Sequence, residues 1–140
     1  MDCQPGWDYF NSSCYQFRAW ENTWAINENV CVEENAHLAS IHSDEDVEFV
    51  LSIVYKSTFP HLIWTGGRRR NENSFSYSDG TMLDYKNWAF REPDNHGGNE
   101  DCIAMYYGGP DKGKLADVSC SDNYIIVCKK PSPGNVSATL

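Results

Sequence analysis

The clearest periodicity in the chain is in SDEDVEFVLSIVYKS, where Val47, Val50, Leu51 and Val54 recur at i, i+3, i+4 and i+7. That spacing gathers them on one face of a helix of about three turns. Ser43 stands three residues before Asp46, a capping pair with Asp in place of Glu, and Pro60 ends the region. An earlier helix is predicted over WAINENVCVEEN, with Thr23 as N-cap and Trp24, Asn27, Cys31 and Glu34 sharing a face. Before it, CQPGWDYFNSSCYQF is aromatic and polar by turns and reads as a hairpin closed by a local Cys3–Cys14 disulfide. Beyond Pro60 the helical period vanishes. LIWTGG, FSYSDG, DCIAMYY and NYIIVCKK are short β-type runs. Roughly from Asp79 to Glu100 the chain is rich in Gly, Asn, Asp and Pro, without a period of its own. Stretches of this length are functional or disordered, and the tryptophans and cysteines argue for an ordered one. The pattern gives an α+β domain over residues 1–130: two helices, then strands with one long loop, the terminal strands meeting in an antiparallel sheet. The tail PSPGNVSATL, residues 131–140, has no apolar pattern and reads as a flexible end.

Composition sharpens this picture. A chain of 140 residues fits one domain, and 14% aromatics can build its core. No apolar run approaches the roughly 18 residues of a membrane span. Cysteines 3, 14, 31, 102, 120 and 128 form an even set without a C-x-x-C pair. That argues against a zinc ribbon or redox motif and for three disulfides made in an oxidising compartment. The expected location is secreted or extracellular, as a free protein or the ectodomain of a larger one. The sequons at Asn11 and Asn135 agree with a secreted glycoprotein, although either can arise by chance. Met1, directly before Asp2 and Cys3, reads as a start codon added to a mature fragment.

The net charge of −9 argues against nucleic acid or an anionic membrane as a partner and is compatible with a cation site. Glu92, Asp94, Glu100 and Asp101 crowd into ten residues, EPDNHGGNED. Calcium takes six to eight oxygen ligands in flexible geometry, and a loop turned by Pro and Gly can wrap it. Magnesium would need fewer protein ligands and stricter geometry; zinc would want Cys or His. A cis bond before Pro93 would bring Glu92 and Asp94 to the same side of one ion. The competing reading of this segment is a solvated acidic turn. Nothing points to catalysis. His37, His42, His61 and His96 make no nucleophile–base pattern with a Ser or a free Cys, and paired carboxylates suited to glycoside hydrolysis are better used on an ion.

The order of these segments resembles the carbohydrate-recognition domain of the C-type lectin family, in its long form with an extra N-terminal disulfide. The resemblance runs over about residues 3–130: GWDYFNSSCY, Cys31, LASIHSDEDVEFV, IWTGG, NWAFREPD, NEDC, LADVSC and Cys128. It implies a C-type lectin-like fold with a long calcium-binding loop and the pairs Cys3–Cys14, Cys31–Cys128 and Cys102–Cys120. It also implies calcium held by Glu92, Asp94, Glu100 and Asp117, with vicinal sugar hydroxyls completing the shell. The partner would be a glycan or glycoprotein. His96 follows the tripeptide where family members can place an aromatic against the sugar; its alternative is a solvent-exposed loop histidine.

The departures matter. Glu92-Pro93-Asp94 mixes the family's E-P-N and Q-P-D forms, and Ala116 stands where the family has Asn. Carboxylates only accept hydrogen bonds, whereas Asn and Gln also donate. The site keeps its acceptors and loses two amide donors, each worth on the order of 1 kcal/mol to a bound diol. These changes, with Thr65-Gly66-Gly67 in place of the family motif, support an alternative: a domain of this fold that binds a protein or other non-sugar ligand. Trp88 reads as core. Arg68, Arg69 and Arg70 read as a solvated loop, with Arg68 the candidate to replace an accessory cation by pairing with Glu72 or Asp101. Several linked sites raise avidity, so a homo-oligomer is compatible, although no heptad marks one.

Overall fold

The structure, a computed structural model, describes residues 3–54, 61–72 and 74–134. The N-terminal hairpin forms as predicted. Strand β1 (Asp8–Phe10) pairs with β2 (Ser13–Asn22), Phe10 opposite Ser13. Asn11 and Ser12 make the whole turn, with φ of 48° and 69°. Two consecutive left-handed residues give the type I′ geometry whose twist matches paired strands.

Helix α1 (Trp24–Val32) buries Trp24, Asn27 and Cys31, the predicted face; Glu34 lies past its end. Thr23 holds the N-cap position in extended conformation without a side-chain cap bond. Helix α2 (Asp44–Ile53) buries Val47 and Val50. Ser43 Oγ accepts from Asp46 N at 3.1 Å, as expected for the cap. The Asp46 carboxylate returns not to Ser43 but to His42 N, at 2.8 Å. Pro60, expected to end the helical region, lies outside the described residues.

The remaining strands are β3 (His37–Leu38), β4 (Leu62–Asn71), β5 (Ser74–Tyr77), β6 (Cys102–Tyr106), β7 (Leu115–Val118) and β8 (Tyr124–Pro131). The sheet order is β1-β2-β8-β4-β6-β7, with β3 on β8 and β5 on β4. The terminal strands do meet: Ser13 faces Pro131, and the register runs on to Arg18 opposite Ile126. One pair departs from the antiparallel expectation. β4 runs parallel to β8, Ile63 opposite Ile125, so the sheet is mixed. Parallel neighbours are joined by long crossovers, and local pattern carries no record of which distant strand will lie alongside. Past Pro131, Ser132 is buried and its N–H donates to Ser12 O at 2.9 Å.

Alternation along the strands feeds two cores. Trp24, Cys31, Trp64, Ala104, Ala116 and Ile126 belong to one; Val47, Val50, Phe75, Ile103, Met105 and Leu115 belong to the other. The arginine run is not a loop. It continues β4, and the period of two sends Arg68 over the Trp24 ring (4.9 Å) and Arg69 over Phe75 (4.7 Å). Gly66 and Gly67 have packing reasons. A Cβ on Gly66 would stand 2.7 Å from Leu38 O, and one on Gly67 2.8 Å from Ile103.

The three disulfides pair as the resemblance implies: Cys3–Cys14, Cys31–Cys128 and Cys102–Cys120. The long excursion between β5 and β6 is laid down on the sheet. Leu115 N donates to Asn87 O and Ala89 N to Leu115 O, both at 2.8 Å. Trp88, half-buried, tilts against Phe75 at 5.4 Å. This seam delivers residues 90–100 to the outer end of β7.

Candidate functional site

A tight turn launches the loop. Glu92 N donates to Ala89 O at 2.9 Å, with Arg91 at φ 65° inside the turn. The Glu92–Pro93 bond is cis. One carboxylate oxygen each of Glu92, Asp94 and Asp117 lie within 4.8 Å of one another. Two come from the loop and the third from β7. The return limb is folded by its own polar groups: Glu100 N donates to Asn95 Oδ1 at 3.0 Å, and His96 N to Glu100 Oε1 at 2.8 Å. Asn95, Gly97 and Gly98 supply the positive φ values (44°, 76° and 76°) that this compact reversal requires. Glu100 and Asp94 meet side chain to side chain. Three of the four residues expected to hold an ion, Glu92, Asp94 and Asp117, thus lie together, and Glu100 adjoins them through Asp94.

The electrostatics are those of a site short of positive charge. Burial, then a hydrogen bond with Asp117 and the charges of its neighbours, pushes Glu92 up to about 8. Burial and the contact with Asp94 raise Glu100 to about 7. The same contact with Glu100 is the main reason that Asp94 lies below the usual carboxylate range. Like charges this close cannot all ionise, so protons stay on part of the cluster. Glu92 Oε1 is buried without a hydrogen-bond partner. An all-oxygen donor set holding protons, with one orphaned acceptor, fits a hard divalent cation such as calcium.

Asp117 has a second task. Its side chain is fully buried; Oδ1 accepts from Asp94 N (3.0 Å), and Oδ2 from Asn95 N (2.8 Å) and Arg69 Nη2 (2.6 Å). Two donors fill the two lone-pair directions of Oδ2. Oδ1, with one backbone donor, is the oxygen better placed to serve an ion.

Arg69, not the candidate Arg68, makes the pairing with Asp101. Arg69 meets Asp101 (Nε–Oδ1, 3.1 Å) and, through Nη1, the carbonyl of Glu72 rather than its carboxylate (2.9 Å). Strand alternation decides this: Arg68 points to the opposite face, onto Trp24. His96 is exposed, and its backbone N–H serves the loop. Ala116 is buried opposite Ala104, on the face away from Asp117, and offers no amide. Phe90, 80% exposed with the Arg91 guanidinium 5.1 Å from its ring, was not singled out by sequence. An apolar residue two positions before Glu92 is its only sequence signal.

With the geometry established, the family relation is direct. The Lectin C-type domain matches residues 20–130. A lectin of Pleurodeles waltl is 36% identical over 137 residues, covering 94% of this chain and 78% of its own. A calcium-independent type II antifreeze protein superposes with a TM-score of 0.82 at 28% identity, over 94% of this chain and 95% of its own. The cow C-type carbohydrate-recognition domain of CD23, solved with a GlcNAc2Man3 oligosaccharide, gives 0.80 at 30% identity, over 94% and 97%. The chain belongs to the C-type lectin domain family, whose members are binding domains rather than enzymes. Within it, this chain is similar both to lectins and to an antifreeze protein that needs no calcium. Among the described residues no helix is long and apolar enough to cross a membrane.

Proposed function

We propose that this domain binds glycans in a calcium-dependent manner, with Glu92, Asp94, Glu100 and Asp117 as metal ligands. One observation carries the reading. Glu92, Asp94 and Asp117 converge to within 4.8 Å, and Glu92 keeps a buried oxygen unpaired. Bound calcium would supply a Lewis-acidic centre that accepts the lone pairs of a vicinal diol. Around it, Glu92, Asp94 and Glu100 would accept hydrogen bonds from the hydroxyls, since carboxylates only accept. Asp117 ties the loop to β7. His96 is exposed beside the site, where its ring can lie against the apolar face of a sugar. Similarity to an oligosaccharide-binding domain supports the ligand class. The setting that follows is extracellular, with a glycan or glycoprotein as partner.

A second reading has its own support. Ala116 offers no side-chain amide where the family has Asn, and Phe90 places an exposed aromatic ring two residues before Glu92. These features suit a protein or other non-sugar surface, and the antifreeze relative shows that the fold is not tied to calcium. A glycan array run with calcium and with chelator separates the readings. Calcium-dependent hits select the lectin. Calcium binding by titration with no glycan hit selects the second reading, and no calcium binding at all rejects the metal site.

A further inference from the structure

We infer that Arg69 is a positioning residue: a built-in cation that holds the 92–101 loop in its ion-ready shape before any metal arrives. The inference rests on the calcium reading of the same site but is tested partly without calcium. Arg69 is only 11% exposed in its side chain. Its guanidinium lies over Phe75 and donates to four acceptors: Asp101 Oδ1, Glu72 O, Glu100 O (2.8 Å) and Asp117 Oδ2. Its backbone N–H donates to Asp101 O at 2.8 Å.

These acceptors are the anchor points of the loop. Glu100 and Asp101 form its exit. Asp117, held by Arg69 through Oδ2, takes the amides of Asp94 and Asn95 at its entrance. One side chain therefore fastens both ends, directly at 100–101 and through Asp117 at 94–95. Its planar fork suits this role, because the donors are fixed relative to one another. The charge acts in the same sense. Among the described residues, Arg69 is the guanidinium that ion-pairs with acids of this group, at Asp101 and Asp117. Because Arg69 occupies Oδ2, it also settles how Asp117 presents its other oxygen. A preformed cage spares calcium the cost of ordering the loop, and outer contacts of this kind typically carry 10- to 100-fold in metal affinity.

The opposing effect is repulsion between Arg69 and the ion, and experiment decides between the two. Hydrogen exchange of the Asp94 and Asn95 amides in chelator, and calcium affinity by isothermal titration, should be measured for the wild type, Arg69→Met, Arg69→Lys and Asp101→Asn. In Arg69→Met both amides should exchange at least about tenfold faster, with Val127 in β8 unchanged. Its calcium affinity should fall roughly 10- to 100-fold. Arg69→Lys should recover part of each loss. Asp101→Asn removes the charge from one half-exposed contact while leaving an acceptor oxygen for Arg69 Nε, so it should fold and show the same two changes in milder form if Arg69→Met does not fold. Unchanged loop exchange in these variants, or calcium binding tighter than wild type, overturns the proposal. A wild type that binds no calcium rejects the metal reading and the ion-ready part of the inference. The exchange data then judge Arg69 as a loop anchor alone.

Discussion

Two of the proposed calcium ligands should respond to neutralisation in opposite ways when no calcium is present. Asp117 is buried, with Arg69 Nη2 at 2.6 Å and two backbone amides on its oxygens. In Asp117→Asn the guanidinium loses its buried counter-charge, and an NH2 group must face at least one N–H donor. Breaking a buried pair by removing one partner costs about 3–5 kcal/mol. For a domain of this size each kcal/mol moves Tm by roughly 3–5 °C, so Tm in chelator should fall by about 10–20 °C. Glu92 is the reverse case. Its pKa is raised from 4.5 to about 8, so its contribution to stability is complete at low pH and is lost as pH rises through 8. Glu92→Gln mimics the protonated group. It should change little at pH 4, below the unfolded value, and gain stability relative to wild type progressively between about pH 4.5 and 8, so that the gain is complete by pH 9. Differential scanning calorimetry in chelator at pH 4 and pH 9 is the assay. A fall of less than about 3 °C in Asp117→Asn, or a Glu92→Gln penalty that grows with pH, would refute the division of roles. Both variants should lose any rise in Tm on adding calcium.

Other outcomes follow from the same geometry. Calcium must displace protons from Glu92 and Glu100, so titration in buffers of different ionisation enthalpy should show release of about one to two protons at pH 6.5 and less than about one at pH 8.5; release that does not vary with pH counts against the ligand set. The Cys31–Cys128 bridge spans 97 residues and Cys102–Cys120 spans 18. Replacing the first pair with alanines should cost about 4–5 kcal/mol against about 3 for the second in chemical denaturation; the reverse order would show that unfolded-chain entropy is not the controlling term. Gly66→Ala would set a Cβ 2.7 Å from Leu38 O, and a loss of about 1–3 kcal/mol is expected by denaturant titration.

Much of this domain can be read along the chain. The helix faces at Val47 and Val50 and at Trp24, Asn27 and Cys31 follow from local period, which depends only on covalent geometry and burial. The hairpin at Asn11-Ser12 and the Ser43 cap follow from short-range chemistry. The crowded carboxylates from Glu92 to Glu100 are equally local, because each is a near neighbour of the next. Even the disulfide pairs were accessible through the resemblance, whose motifs fix positions along the chain.

What the chain conceals is pairing between distant segments. The parallel contact of β4 with β8, the seam of Asn87 and Ala89 with Leu115, and the joining of Asp117 to the loop all bring together residues far apart in sequence. Local pattern has no term for them, since their stability comes from burial and hydrogen bonding that exist only once the sheet has assembled. The arginine run shows the limit most sharply. By sequence, three adjacent basic residues look alike and suggest a solvated loop. Continued in a strand, they alternate: Arg68 falls on Trp24, and Arg69 reaches Asp117 and Asp101. The sequence alone showed four acids crowded into ten residues and a charge balance compatible with a cation among them. The two-residue period of β4, and the register that sets it beside β6 and β5, decided which arginine would supply it.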